Sequence, residues 1–180
     1  MKETATIAGG CFWCTEAVFK RLKGVEKVVP GYTGGQVENP SYEAVCTGST
    51  GHAEAIQITF DPAVISYETL LGVFWHLHDP TTLNRQGNDV GTQYRSAIFH
   101  HDEAQKEAAL KSKDEAEKAG LYRNKIVTEI VPFTKYYDAE QYHWDFYDSN
   151  RSYSYCQVII DPKIKKLYKE FGEQVQVVAR

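Results

Sequence analysis

The order in which two hydrophobic periods alternate along the chain constrains the fold most. AEAIQITF (53–60) alternates its side chains between two faces with the period of a strand, and Asp61-Pro62 ends it. Upstream, TATIAGG (4–10) reads as a short strand ending in glycines. Cys14, Val18 and Leu22 then recur at helical spacing from Trp13 to about Leu22, and Gly24 is the stop. VEKVVPGY (25–32) is a further strand in which Pro30 marks an edge or an end. After AEAIQITF, Ser66 caps a helix through ETLLGVFWHLH that Asp79-Pro80 terminates. YRSAIFH (94–100) is a strand, Asp102 caps a helix that stops at Gly120, and KIVTEIVP (125–132) is another strand. AEQYHWDFY (139–147) and KIKKLYKEF (163–171) are helical candidates. The order strand–helix–strand–strand–helix–strand predicts an α+β two-layer sandwich with a ferredoxin-like, split βαβ core. No repeat or linker divides the 180 residues, so one domain is expected over 1–180. Its core spans about 4–131, and an extended C-terminal segment, 132–180, carries Cys156.

Composition narrows the function by exclusion. A net charge of −4 gives no electrostatic reason to expect nucleic acid or an anionic membrane as partner. MKETATIAGG contains no long apolar run, so neither a signal peptide nor a membrane helix is expected, and a reducing cytoplasm is the default location. No exposed apolar stripe is readable, so a monomer is expected. Four cysteines in a chain large enough to build a core are catalytic, metal-binding or simply buried.

Cys11 follows Gly9-Gly10 at a strand-to-helix turn, a poor place to hide a side chain. Backbone amides and the helix dipole there favour an anion, which predicts a thiol titrating below its free value. Cys14 is one turn further on, so GGCFWC is open to three readings: a thiol–disulfide pair, half of a metal site, or a nucleophile beside an aromatic pocket. A zinc site needs a second closely spaced ligand pair, which Cys46 and Cys156 do not form, so no metal is expected. Cys46 has no local partner and is expected to be buried.

Two further features carry chemistry. Glu54 lies on the same strand face as Ile56, Ile58 and Phe60. It either reaches water at the strand entrance or is desolvated, which raises its pKa and makes it a proton donor. DPTTLNRQGNDVGTQ (79–93) is a long polar segment without periodicity, either a surface loop or a functional one.

Taken together, GGCFWCTEAVF, GYTGG, SYEAVCTGSTGHAEAIQ and HDPTTLNRQGNDVGTQYRSAIF resemble the A-type peptide methionine sulfoxide reductases from about residue 5 to 157. The resemblance implies a cofactor-free repair enzyme that reduces (S)-methionine sulfoxide, free or in proteins, with thioredoxin returning the electrons. It places the nucleophile on Cys11, the acid on Glu54, oxygen-binding hydroxyls on Tyr42 and Tyr94, and substrate contacts on Phe12, Trp13 and Asp89. Many relatives have glycine at position 14 and further cysteines in a glycine-rich tail. Here position 14 is Cys and the tail has Cys156 alone. The resemblance favours Cys156 as the thiol that resolves the Cys11 sulfenic acid, with Cys14 as local alternative or relay. His143 and Trp144 lie near a family motif, but His143 is expected to be a packed helix histidine without a catalytic step. A general CxxC oxidoreductase and a non-catalytic binder of oxidised methionine are the rival readings.

Overall fold

The computed structural model describes residues 1–176. In chain order the elements are β1 (Glu3–Gly9), α1 (Phe12–Phe19), β2 (Val25–Thr33), α2 (Tyr42–Cys46) and β3 (Ala53–Phe60). They continue with α3 (Tyr67–Leu77), β4 (Arg85–Gln86), β5 (Asp89–Val90), β6 (Ser96–His100), α4 (Glu103–Lys118), β7 (Glu129–Pro132), β8 (Tyr136–Asp138) and α5 (Phe146–Ser149). A π-helical turn, Cys156–Ile160, leads into α6 (Asp161–Phe171).

Six strands form one sheet in the order β7-β6-β1-β3-β2-β8. The central four are antiparallel, β1 pairing with both β3 and β6 and β3 with β2. The connections through α1 and α3 therefore make the two interleaved split βαβ units that the element order predicts. Strand alternation decides the two faces. Ile56, Ile58 and Phe60 join Ile7, Phe12, Val18 and Phe74 in the main core beneath the helices. Ala8, Ala53, Ala55 and Ala97 form a thin second layer with Phe99, Phe133 and Tyr136. The caps fall where expected: Ser66 Oγ accepts from Thr69 N at 3.0 Å and Asp102 Oδ1 from Gln105 N at 2.8 Å.

Three segments differ from the sequence reading. AEQYHWDFY is not one helix: a 3-10 turn over Gln141–His143 and the short α5 flank Asp145, whose left-handed backbone (φ 53°) breaks the helical run. The polar segment 79–93 folds into the β4–β5 hairpin, with a 3-10 turn over Thr92–Tyr94 after it. Instead of an extended tail, the C-terminal segment folds back as α6 over α1 and α3, because Ile164 and Leu167 bury one side of that helix. The last four residues of the expected segment 132–180 lie outside the described residues. β2 does not end at Pro30 but runs on to Thr33, where β8 pairs on its outer side.

Candidate active site

The strand β1 ends at the nucleophile candidate through a turn that only glycine tolerates. Gly10 has φ +92°, and a Cβ there would lie 2.7 Å from Gln86 Cγ. Cys11 is the N-cap of α1, whose first amides turn inward: Cys14 N donates to Cys11 O at 3.1 Å, and Phe12 N donates to Glu54 Oε1 at 3.2 Å. Cys11 is 8% exposed, and burial pushes its thiol well above the ordinary value, with the neighbouring Cys14 and Glu54 acting in the same direction. The lowered pKa expected from the helix start is therefore overturned. Only the Trp13 backbone amide favours the thiolate, and desolvation outweighs it.

Glu54 stands opposite Tyr32 in the β2–β3 ladder and is 1% exposed. The water-reaching alternative does not hold. Burial lifts its carboxyl from 4.5 to about 8, the Phe12 amide pulling down and the charges of Asp89 and Cys14 pushing up. Its second oxygen, Oε2, has no hydrogen-bond partner. A group neutral at pH 7 with an unpartnered oxygen is a proton donor waiting for an acceptor.

Tyr42 opens α2, held by its backbone N–H to Glu140 Oε2 at 2.9 Å, and Tyr94 closes the 3-10 turn after the hairpin. Burial pushes both phenols up and both feel the charge on Glu54, so both remain O–H donors. Asp89 lies on β5 and accepts from Tyr155 Oη at 2.6 Å. Phe12 is buried against Tyr32, Tyr42 and His143, at centroid distances of 5.7, 6.4 and 4.9 Å. Trp13 is half-buried, stacks on Phe146 at 3.7 Å and meets Tyr153 and Tyr155 edge-on. The two aromatic residues thus divide: Trp13 offers a partly open wall, whereas Phe12 is buried, and both rings meet His143.

Sequence reasoning gave no role to several of these partners. His143, packed as expected but in a 3-10 turn, accepts from Trp13 Nε1 at 3.0 Å through Nδ1. Burial lowers its pKa, so it is a neutral acceptor orienting the indole. Phe146 and Tyr155 belong to the aromatic-rich stretch 142–155, whose density was the available signal. Glu140 receives Tyr32 Oη at 2.9 Å as well as the Tyr42 amide, tying the C-terminal segment to α2.

The cysteines sort by position. Cys14 is buried with Sγ 3.6 Å from Tyr155 Oη, and its thiol interacts with that of Cys11. Cys156 is fully buried and senses Cys14. Cys46 is exposed, contrary to expectation, because the short α2 ends at the surface; its thiol meets the Tyr42 hydroxyl. Among the described residues, no group of three or more His, Cys, Asp or Glu side chains is placed to hold a metal ion. No described helix is long and apolar enough to cross a membrane.

Residues 3–175 match the family model described as peptide methionine sulfoxide reductase. The chain is 58% identical to the peptide methionine sulfoxide reductase MsrA of Sulfolobus acidocaldarius, over 97% of this chain and 98% of that protein. Among solved structures it is similar to reduced Mxr1 from Saccharomyces cerevisiae (TM-score 0.79, 37% identity, 86% of this chain and 89% of the other). It is also similar to Mxr1 in complex with Trx2 (TM-score 0.56, 28% identity, 81% and 84% covered).

Proposed function

Since the chain belongs to the peptide methionine sulfoxide reductase family, we propose that Cys11 and Glu54 together carry out reduction of (S)-methionine sulfoxide, free or in proteins. The observation that carries the assignment is a buried carboxyl, neutral near pH 7, hydrogen-bonded to the residue beside the thiol. The substrate oxygen enters between Glu54 and the hydroxyls of Tyr42 and Tyr94, its methyl group lying against Trp13. Glu54 protonates the oxygen as Cys11 sulfur attacks the sulfoxide sulfur, and the thiol proton restores the carboxylic acid. The hydroxyl then passes from the methionine sulfur to the Cys11 sulfur as the bond between the two sulfurs breaks, so methionine departs with two more electrons on its sulfur and Cys11 becomes a sulfenic acid. Asp89, engaged by Tyr155, holds the substrate main chain.

Resolution of the sulfenic acid falls first to Cys14. Cys11 and Cys14 are N-cap and third helical residue, a spacing whose Cα separation of about 5–6 Å suits a disulfide, and their thiols already interact. Cys156, buried and sensing the charge on Cys14, receives the oxidation second. Thioredoxin, the kind of partner that Mxr1 takes in its Trx2 complex, reduces the final disulfide by exchange. The cytoplasm suits such a dithiol-consuming cycle.

The test is to supply each epimer of a methionine sulfoxide peptide with dithiothreitol, using wild type and Cys11→Ser, and to map disulfides after one turnover without reductant. Reduction of the S epimer alone, lost in Cys11→Ser, and a Cys11–Cys14 bridge are expected. Unimpaired turnover by Cys11→Ser refutes the mechanism, and a first bridge to Cys156 with Cys14 free refutes the order of resolution.

A further inference from the structure

Cys14 sits at the meeting of several elements. On one side is the Cys11 thiol. On another is Tyr155 Oη, a hydroxyl between two acceptors, 2.6 Å from Asp89 Oδ2 and 3.6 Å from Cys14 Sγ. The remaining side is a cavity of about 10 Å³, room for one water at most. Val18, Phe19, Phe74 and Leu77 give it apolar walls, and Lys163 of α6 closes it. The Lys163 ammonium is fixed by donating to Leu77 O at 3.0 Å, at the C-terminal turn of α3, where backbone carbonyls favour a cation.

We infer that Lys163 is a positioning residue for the resolving step, holding Cys14 as the thiolate that attacks the Cys11 sulfenic acid. The inference rests on Cys14 acting as resolver. A thiolate walled by apolar side chains is stable only beside a cation, and a charge pair in such surroundings is stronger than in water. The hydrogen bond from Cys11 lowers the Cys14 thiol most, and Lys163 supplies the cation whose field, together with the Tyr155 hydroxyl, lowers it further. Burial and the charge of Asp89 oppose it. Glu54 and Cys156 also sense Cys14, while His78, lining the same cavity, is neutral because burial takes it to about 3. In the step itself the Cys14–Cys11 sulfur bond forms and the sulfenic S–O bond breaks. Cys14 sulfur is oxidised and Cys11 sulfur reduced by one electron each. The oxygen leaves as water after taking a proton from Glu54, which solvent then restores.

Two measurements test this. In a Cys11→Ser, Cys46→Ser, Cys156→Ser background, Cys14 is the single thiol, and its thiolate absorbance near 240 nm is titrated with and without Lys163→Met. The midpoint is expected to rise by about one pH unit, a tenfold change in the thiolate equilibrium, and Lys163→Arg should restore it. In the otherwise native protein, rapid quench after one turnover reads Cys11–Cys14 disulfide per methionine released. At pH 7, Lys163→Met should slow bridge formation about tenfold, with the pH profile displaced upward by the same interval. An unmoved midpoint overturns the inference, and so does an unchanged rate of bridge formation. A shifted midpoint without any Cys11–Cys14 bridge in the native protein shows that Lys163 sets the Cys14 titration but refutes Cys14 as resolver, and with it the positioning role in that step. Lys163→Gln repeats the titration if the Met variant melts early.

Discussion

Replacing Glu54 by Gln should destroy the activity and stabilise the protein. The folded carboxyl titrates at about 8 and the unfolded one at its ordinary 4.5. A raised acid pKa means that folding favours the protonated form, so the residue costs nothing below 4.5 and costs progressively more as pH rises towards 8. At pH 7 the unfolded chain has ionised this group and the folded chain has not. At about 1.4 kcal/mol per pH unit, that difference destabilises the wild type by about 3 kcal/mol. Glutamine is equally neutral in the fold and accepts from Phe12 N through its carbonyl, but it gains nothing on unfolding. Urea melts should therefore find Glu54→Gln about 3 kcal/mol more stable at pH 7 and equal to wild type at pH 4. Loss of the transferable proton should lower turnover of a sulfoxide peptide by about 10²–10⁴-fold, and wild-type activity should decline as pH passes about 8. A variant with equal stability offsets at pH 4 and pH 7, or with activity within threefold of wild type, would refute the reasoning.

Two other substitutions probe the frame of the site. Gly10→Ala places a Cβ 2.7 Å from Gln86 Cγ in a left-handed backbone, and Gln86 is pinned by Asp79 N and O at 3.0 and 2.9 Å. Stability should fall by about 1–3 kcal/mol in a denaturant melt, with turnover falling too as Cys11 shifts. Phe146→Leu removes the ring stacked on Trp13, an aromatic pair contributing about 1 kcal/mol. It should raise KM for sulfoxide peptides severalfold with little change in kcat, and alter the Trp13 fluorescence.

The parts of this structure legible in the sequence are those set by short-range pattern. Alternation over 53–60 placed Glu54 on the buried face beside Ile56 and Ile58, and the caps Ser66 and Asp102 marked their helices. The two-residue strands β4 and β5 are too short to show a period, so the segment 79–93 read as loop. AEQYHWDFY has helical spacing, but Asp145 turns left-handed where its amide meets the Glu16 carboxylate at 2.7 Å, a partner 129 positions away. The direction of the Cys11 titration is not legible in the sequence for the same reason. Helix start and glycines are local, whereas the burial that outweighs them comes from β3 and the C-terminal segment, remote in sequence. Tyr155 and Lys163 carried no motif at all; their meaning depends on α6 folding back over α1.

That fold-back also sets a schedule during synthesis. Cys11 leaves the ribosome 152 positions ahead of Lys163 (163 − 11). At about 5–20 residues per second, this interval lasts roughly 8–30 s. Through it the nascent chain presents both thiols of GGCFWC without the C-terminal cover that later sequesters them. The newborn chain thus meets its own cellular oxidants and disulfide partners as an ordinary dithiol, and becomes a selective one only when α6 docks.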